Sequence, residues 1–287
     1  MKIAVIIPAA GLGRRFQATP DGESANRRGP APVNKIELDL GGKPVFLRSV
    51  ELFLQRPIVG QILLAVHPDA VEEFVFRWGD KLAFHGVEVV AGGRAERWET
   101  VLKALEKVDP DCTHAAIHDA ARPLASRGLI DRLFAAAGKF PAVIPGVAVS
   151  ATLKRVADAP PPTDPADPLD AILGSAGKPV VHYRRVVRTV PRSDLIEVQT
   201  PQVFELDLLR RAYAQIPSGK VGGAGIPDDA GLVEALGQTV TVVEGASTNF
   251  KITRPEDFEL AQAYVSATDK TQAAALAKKR LFADEEE

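Results

Sequence analysis

The sequence predicts an α/β fold, in which a mainly parallel sheet carries helices on both faces. Short apolar runs of strand length alternate along the first 145 residues with segments whose apolar residues recur at helical spacing. The first run, residues 3–7, is apolar throughout, as in a strand buried on both faces of a parallel sheet. Repeated strand–helix units of this kind favour parallel crossovers around one sheet.

The predicted elements follow in chain order. Strands are expected at residues 3–7, 61–66, 87–90, 115–118, 142–145, 198–204, 239–243 and 249–252. Helices are expected at residues 44–54, 68–78, 97–105, 128–137, 207–214, 229–236 and 255–265. Pro8 cannot donate to a ladder and is expected to stop the first strand, whereas Pro44 and Pro255 suit first helical turns. Asp228 is expected to cap the helix that follows it.

A phosphate-binding loop is predicted directly after the first strand. Ala9, Ala10, Gly11 and Gly13 are small, so backbone N–H groups there can approach an anion without obstruction, and Arg15 adds a fixed positive charge. The alternative is an ordinary strand–turn–helix junction, because the loop is neither a P-loop nor a three-glycine dinucleotide fingerprint. Ligands of parallel sheets bind where the strands end, which brings residues 8–15, 91–100 and 118–123 to one edge.

Composition excludes several classes of function. The chain has 287 residues, with 35 Lys and Arg against 37 Asp and Glu, so its net charge of −2 gives no general affinity for nucleic acid or membranes. Cys112 is the single cysteine, which excludes an internal disulfide and a thiolate metal cluster and fits a reducing compartment. Without a signal-peptide pattern or a long apolar run, a cytoplasmic protein is expected.

Three segments depart from the α/β pattern. Residues 16–34 are polar and rich in Gly, Pro and Ala, and are expected to form a mobile loop within one domain spanning 1–266. Residues from about 156 to 197 are expected to form a protruding β-arm with a Pro-rich tip. Two exposed strands are only marginally stable by themselves, so we expect the arm to pack on a second copy of the chain. The alternative is a floppy surface insertion. Residues 267–287 are expected to form a solvated, partly helical tail.

Six sequence blocks, taken together, resemble the 2-C-methyl-D-erythritol 4-phosphate cytidylyltransferase family. In family order they are Pro8–Arg15 (PAAGLGRR), Lys35, His118–Pro123 (HDAARP), Thr152–Arg155 (TLKR), Thr200–Gln202 (TPQ) and Phe250–Asp257 (FKITRPED). They span most of residues 1–266, and the combination is far more specific than the glycine loop alone. The resemblance implies a Rossmann-like nucleotidyltransferase sheet and a homodimer joined through the arm. It also implies a Mg²⁺-dependent reaction of CTP with 2-C-methyl-D-erythritol 4-phosphate that releases pyrophosphate.

The resemblance also implies roles for individual residues. Arg15, Lys35 and Lys251 would be the catalytic cations around the α-phosphate, as phosphoryl-type transfer requires. Residues that would bind the nucleotide are Ala9, Ala10, Gly11, Gly13, Gly92, Gly93 and Thr100. Residues that would bind the substrate are Asp119, Arg122, Thr152 and Arg192, the last reaching into the neighbouring subunit's site. Mg²⁺ would be held mainly by CTP phosphates, and no direct protein ligand is assigned to it.

Some positions depart from the family pattern and leave alternatives open. In the family this lysine stands in a Pro-Lys-Gln segment a few residues after the arginine. Here Lys35 follows a long predicted loop and stands between Asn34 and Ile36, so a solvated surface cation is an alternative function for it. The Gly92–Thr100 segment carries one extra residue relative to the family pattern, and Pro227 replaces a threonine before the acidic pair Asp228–Asp229. Asp119 could instead be a helix cap paired with Arg122. A ribitol-5-phosphate cytidylyltransferase, or a nucleotide-binding paralogue without activity, therefore remains possible on sequence grounds.

Overall fold

The computed structural model describes residues 1–11, 16, 34–158, 183–216 and 228–283, with side chains of the last helix as far as residue 271. The described residues divide into two compact units. One takes the chain up to residue 147 and again from residue 198, and the other takes residues 148–158 and 183–197. None of the described helices is long and apolar enough to cross a membrane.

The first unit contains a mainly parallel sheet, which confirms the predicted fold class. Seven of its strands are β1 (Ile3–Ala9), β2 (Val59–Val66), β3 (Val87–Ala91), β4 (His114–Ile117), β5 (Ala142–Ala148), β9 (Gln202–Glu205) and β10 (Thr241–Glu244). They lie in the order β10-β5-β9-β4-β1-β2-β3. Strand β9 is antiparallel to both β4 and β5, whereas the other pairings are parallel.

Helices cover both faces of this sheet. They are α1 (Val45–Glu51), α2 (Val71–Phe84), α3 (Arg97–Leu105), α4 (Arg127–Ala137), α5 (Leu206–Tyr213), α6 (Asp229–Ala235) and α7 (Pro255–Ala283), with 3₁₀ turns at Lys35–Glu37 and Pro68–Ala70. Alternate residues of β1 face opposite sides. Ile3, Val5 and Ile7 join a core with residues of α1, α2 and α4. Ala4 and Ile6 join a second core with residues of α3, α5 and α6.

Several predicted boundaries differ from the structure, and four of the differences bear on the shape of an element. Strand β1 continues through Pro8, which pairs in register with Ala65, and ends at Ala9. The helix predicted at 68–78 starts as a 3₁₀ turn and continues to Phe84. Helix α7 runs well beyond its predicted end, to Ala283. The single strand expected over 198–204 is two strands, because the Gln199 backbone N–H donates to Pro145 O (2.8 Å) and its side chain bonds Ala246.

The predicted strand at 249–252 is wrong. Hydrogen bonds to loops hold this segment, and it pairs with none of the described strands. The backbone N–H of Ile252 donates to Ala121 O (2.8 Å), and the Arg122 guanidinium donates to Asn249 O (2.7 Å). The Asn249 side chain donates to Thr200 O (2.8 Å). Lys251 is therefore carried by an irregular segment that the loop after β4 holds in place.

The second unit is built on an antiparallel strand pair. Strand β6 (Leu153–Asp158) pairs with β7 (Arg184–Val190), and their register shifts between Arg155 and Val156. Every residue of β7 except the last is exposed. The short strand β8 (Ile196–Val198) follows. The use of these strands as a dimerisation arm stays a prediction.

Candidate active site

A pocket lies at the carboxyl ends of the parallel strands in the first unit. Its lining residues are Pro8, Ala9, Ala10, Gly11, Lys35, Ile36, Gly93, Arg94, Ala95, Glu96, Arg97, Thr100, Asp119, Ala120, Ala121 and Lys251. Strands β1, β3 and β4 run in the same direction, so the loops after them reach the same edge. Among these residues, basic side chains outnumber acidic ones by four to two. The pocket thus favours an anionic ligand.

The centre of the pocket's polar wall is Asp119, two residues after β4. Its Oδ2 accepts a hydrogen bond from Lys251 Nζ (2.7 Å), and its Oδ1 accepts one from Arg97 Nε (3.1 Å). Arg122 Nε lies 3.7 Å from Oδ2. The Asp119 backbone N–H donates to the Thr200 hydroxyl (3.1 Å). These contacts join residues that stand 22 and 132 positions from Asp119 in the sequence.

This surrounding charge keeps Asp119 ionised. Burial acts to raise the pKa of the carboxyl, but the positive charges of Arg97, Lys251 and Arg122 hold that pKa well below its usual value. Asp119 is therefore an anion at any physiological pH, and its function is to accept hydrogen bonds and hold cations. The reading of Asp119 as a helix cap fails, because α4 begins at Arg127 and is capped by Ser126.

The two predicted catalytic lysines that the structure describes both line this pocket. Lys251 reaches Asp119, as above, and its side chain is about one-third exposed, at 31 %. Lys35 begins the 3₁₀ turn and donates from Nζ to Ile252 O (2.7 Å), the carbonyl directly after Lys251. The departure from the family pattern at Lys35 therefore does not remove this lysine from the pocket. Leu12–Arg15 lie outside the described residues, and with them the predicted site residues Gly13 and Arg15.

Close packing explains why glycines stand at positions 92 and 93, directly after β3. A Cβ on Gly93 would lie 2.4 Å from Glu99 Cβ and 2.9 Å from the backbone N of Thr100. A Cβ on Gly92 would lie 2.7 Å from Thr100 Cγ2. The Gly93 N–H donates to the Thr100 hydroxyl (3.1 Å), so the segment folds back onto the first turn of α3. Gly93 and Thr100 line the pocket together with Ala9, Ala10 and Gly11, and buried Gly92 stands directly before Gly93.

The segment between Gly93 and Thr100 ends in a capping box at the start of α3. The Glu96 side chain accepts from the first turn of α3, and Glu99 returns a bond to the Glu96 N–H. Glu99 Oε2 also accepts from the backbone N–H groups of Arg94 and Ala95. Hydrogen bonds from Ala95 and its neighbours lower the pKa of Glu99 despite partial desolvation. Trp98 packs against the core on this side of the sheet and does not line the pocket.

Arg122 has a different environment from the one predicted for a substrate ligand. It does not line the pocket, and its guanidinium donates to Asn249 O (2.7 Å) and, more weakly, to Val198 O (3.5 Å). Burial lowers its pKa more than the nearby Asp119 raises it. In this arrangement Arg122 holds the segment that carries Lys251.

His118 is fully buried, as expected for a packed residue at the end of a strand. Its Nε2 lies 3.0 Å from Arg122 O, and its Nδ1 lies 3.2 Å from the Thr200 hydroxyl. A carbonyl can only accept, so Nε2 carries the proton and Nδ1 accepts from Thr200. Burial lowers the pKa of His118 to about 4, so the ring is neutral at pH 7.

The other two predicted substrate residues belong to the second unit. Thr152 is exposed and directly precedes β6. Arg192 follows β7, and its guanidinium donates to Ser150 O within the same unit. Pro227, the departure from the family pattern, lies outside the described residues.

Sequence reasoning missed Arg97 and Asp229 as site residues. Arg97 Nη2 lies 2.8 Å from Asp229 Oδ2, so its guanidinium bridges Asp119 and Asp229. Asp229 is buried and also accepts from the Tyr213 hydroxyl. Burial favours the neutral form of Arg97, but Asp229 and Asp119 raise its pKa well above the usual value. The sequence signal for these residues was weak. Arg94 and Arg97 stand three residues apart in one segment, and such a spacing does not by itself mark a site.

Comparisons with known proteins agree with this fold and pocket. Residues 3–161 and 176–267 match the family model for 2-C-methyl-D-erythritol 4-phosphate cytidylyltransferase. Proteins with that name from Frankia casuarinae and Solibacter usitatus are 38% and 36% identical to this chain; the alignments cover 93% and 92% of this chain, and 83% and 96% of those proteins. The crystal structure of the protein of the same name from Thermus thermophilus is 32% identical, with a TM-score of 0.65, over 93% of this chain and all of that one.

The parallel sheet, the basic pocket at its strand ends and these likenesses place the chain among the α/β nucleotidyltransferases. Within that class, it belongs to the 2-C-methyl-D-erythritol 4-phosphate cytidylyltransferase family.

Proposed function

We propose that this chain joins CTP and 2-C-methyl-D-erythritol 4-phosphate to give 4-diphosphocytidyl-2-C-methyl-D-erythritol and pyrophosphate. An oxygen of the polyol phosphate attacks the α-phosphorus of CTP. The bond from the α-phosphorus to the bridging oxygen breaks, and the β- and γ-phosphates leave as pyrophosphate. The attacking oxygen is already anionic, so the step needs positioning and charge stabilisation rather than a general base.

The observation that carries this proposal is the placing of Lys35 and Lys251 around one strand-end pocket beside Ala9, Ala10 and Gly11. Cationic donors in a partly buried pocket stabilise the charge that builds on the phosphorus oxygens and on the leaving group. In the proposal, Lys35 and Lys251, with Arg15, act at the α-phosphate. Backbone groups of the loop from Ala9 to Gly13 hold the β- and γ-phosphates.

The remaining predicted site residues would select the two substrates. Gly92, Gly93 and Thr100 would lie against the pyrimidine. Support comes from the close packing of that segment, where only glycine fits without a shift. Asp119, Arg122, Thr152 and Arg192 would bind the polyol phosphate. For Arg122 the contacts favour a supporting function, because its guanidinium is occupied by backbone carbonyls.

Magnesium enters the proposal through the nucleotide. Among the described residues, no group of three or more His, Cys, Asp or Glu side chains could hold a metal ion. The carboxylate at the centre of the pocket, Asp119, is surrounded by three cationic side chains. Mg²⁺ keeps water and phosphate oxygens as ligands in many nucleotide enzymes, which fits a site without a protein cage. When bound, it would supply neutralisation of the triphosphate charge.

We further propose a cytoplasmic homodimer joined through β6 and β7. Support for the dimer is the exposure of Val186 and Val187, at 55% and 53%, on a strand pair that is marginal alone. Support for the compartment is the single cysteine, Cys112, which is buried and unpaired.

The proposed function is tested with purified protein, Mg²⁺ and a matrix of CTP, UTP and ATP against methylerythritol phosphate and ribitol 5-phosphate. Pyrophosphate release is measured, and products are identified by mass spectrometry. We expect turnover with CTP and methylerythritol phosphate. Turnover with ribitol 5-phosphate alone would replace the substrate assignment, and CTP binding without any turnover would favour a paralogue that has lost activity.

A further inference from the structure

Arg97 is the only described residue whose side chain forms ion pairs with both Asp119 and Asp229. It is the first residue of α3, and Asp229 is the first residue of α6. Its Nε bonds Asp119 and its Nη2 lies against Asp229, so the two contacts use different nitrogens of the planar fork. The guanidinium thus links the pocket wall to a helix behind it.

The far side of this link is rigid. The Asp229 side chain has no exposed surface, and its Oδ1 accepts from Tyr213, a buried residue of α5. The neighbouring Asp228 caps α6 and accepts from Gln202 (2.8 Å), whose other amide atom accepts from the Ala230 N–H. An anion held at this depth gives Arg97 one defined position.

The near side of the link orients Asp119. Arg97 holds Oδ1 while Lys251 holds Oδ2, so the plane of the carboxylate is set by two donors on separate oxygens. Arg122 is not a second donor in this arrangement, because its Nε lies 3.7 Å from Oδ2 and its Nη1 is engaged with Asn249 O. Loss of Arg97 would leave Oδ1 without this donor, so that the contact with Lys251 would have the main part in orienting the carboxylate.

We infer that Arg97 is a positioning residue that fixes Asp119, and through it Lys251, against the buried Asp229. This inference rests on the proposed function, in which Lys251 acts at the phosphates. A displacement of about 1 Å at such a group can lower a rate about 100-fold, although nothing that binds the substrate has been removed.

The test uses two variants, one that keeps the positive charge and one that removes the buried pair together. Arg97→Lys keeps the charge but loses the fork that serves two carboxylates. The double variant Arg97→Gln/Asp229→Asn removes both members of the buried pair together. We expect both to fold, with kcat about 10- to 100-fold lower and KM for CTP within about 3-fold of the wild type. Arg56→Lys is the control, because Arg56 is also buried and forked between Asp131 and backbone carbonyls, outside the pocket.

If Arg97 were only structural, its variants would have a lower melting temperature but would not show a fall in kcat at a nearly unchanged KM. We expect this purely structural result for Arg56→Lys. Folded Arg97 variants with kcat within about 3-fold of the wild type would overturn the inference. Crystal structures give a readout that is independent of turnover. In the double variant we expect the Asp119 carboxylate to rotate and Lys251 Nζ to move by about 1 Å. Unchanged positions would overturn the inference even if the proposed substrates were wrong, whereas an inactive wild type would count against the proposed function alone.

Discussion

The strand-end pocket and the β6–β7 pair differ in how their charged residues are held. In the pocket, Asp119 is 7% exposed and meets three cationic side chains. In the strand pair, the ion pair between Arg184 and Asp158 spans 4.0 Å, and both side chains are largely exposed. Exposed ion pairs contribute little to stability, whereas a buried network of charged groups fixes each side chain in place. The first unit therefore builds its polar pocket from its own contacts, while the strand pair leaves apolar side chains exposed.

The largest expected effect is at Lys251. Lys251→Ala removes a cation that lines the pocket, so we expect kcat to fall by about two to three orders of magnitude. Steady-state pyrophosphate release measures the loss, and circular dichroism checks the fold. Lys139→Ala, at an exposed lysine beyond α4, is the control and should leave activity unchanged. Near-normal activity of Lys251→Ala would mean that the reaction centre lies elsewhere.

The next effect concerns the strand pair. Val186→Asp and Val187→Asp each place a charge at an exposed valine of β7. If the pair joins two copies, at least one change should weaken the dimer about 10-fold or more, since it buries an unpaired charge. Sedimentation equilibrium measures the association. Val75→Asp, at a comparably exposed valine of α2, should not change it. A monomeric wild type, or normal association of both variants, would refute the hypothesis that β6 and β7 join two copies of the chain.

A smaller effect is expected at the tightly packed wall of the pocket. Gly93→Ala places a Cβ against the backbone of Thr100, so α3 or its cap must shift, at a cost of about 1–3 kcal/mol of unfolding free energy. Urea denaturation measures this cost. Gly128→Ala is the matched control, because a Cβ in that helix meets only the end of the Arg132 side chain at 3.9 Å. It should be neutral or stabilising by up to about 1 kcal/mol.

The smallest predicted effect is the pH dependence due to His118. Its pKa is about 4 in the folded protein and 6.5 in the unfolded chain, so folding requires the neutral ring. This contribution is complete above pH 6.5 and is lost as the pH falls from 6.5 towards 4. Between about pH 7.5 and about pH 5 we expect a loss of about 2 kcal/mol from this group.

Urea denaturation of the wild type and of His118→Gln at both pH values isolates the contribution of His118. Glutamine does not titrate, so the variant should lose less stability than the wild type over this range. Other groups, including the partly buried His114, whose pKa burial also lowers, act equally in both proteins. The same pH dependence in both proteins would show that His118 does not carry this effect.

Much of the fold was readable from local pattern. The apolar runs of β1 and β2 and the spacing of α3 predicted these elements closely, because period and burial are properties of a few neighbouring residues. The segment carrying Lys251 was predicted as a strand, since Phe250 and Ile252 alternate with polar residues. Its real conformation depends on hydrogen bonds to Ala121 and Arg122, which lie far away in the sequence.

The sequence by itself determined the fold class, the family blocks and the residue types that we propose to bind phosphate. It also determined which glycines and small residues follow β1 and β3, because these features are written in consecutive positions. Only the tertiary structure decided that Lys35 reaches the carbonyl next to Lys251, and that Arg97 links Asp119 to Asp229. Electrostatic contacts form between groups that the sheet brings within a few ångströms, and no local pattern records that distance.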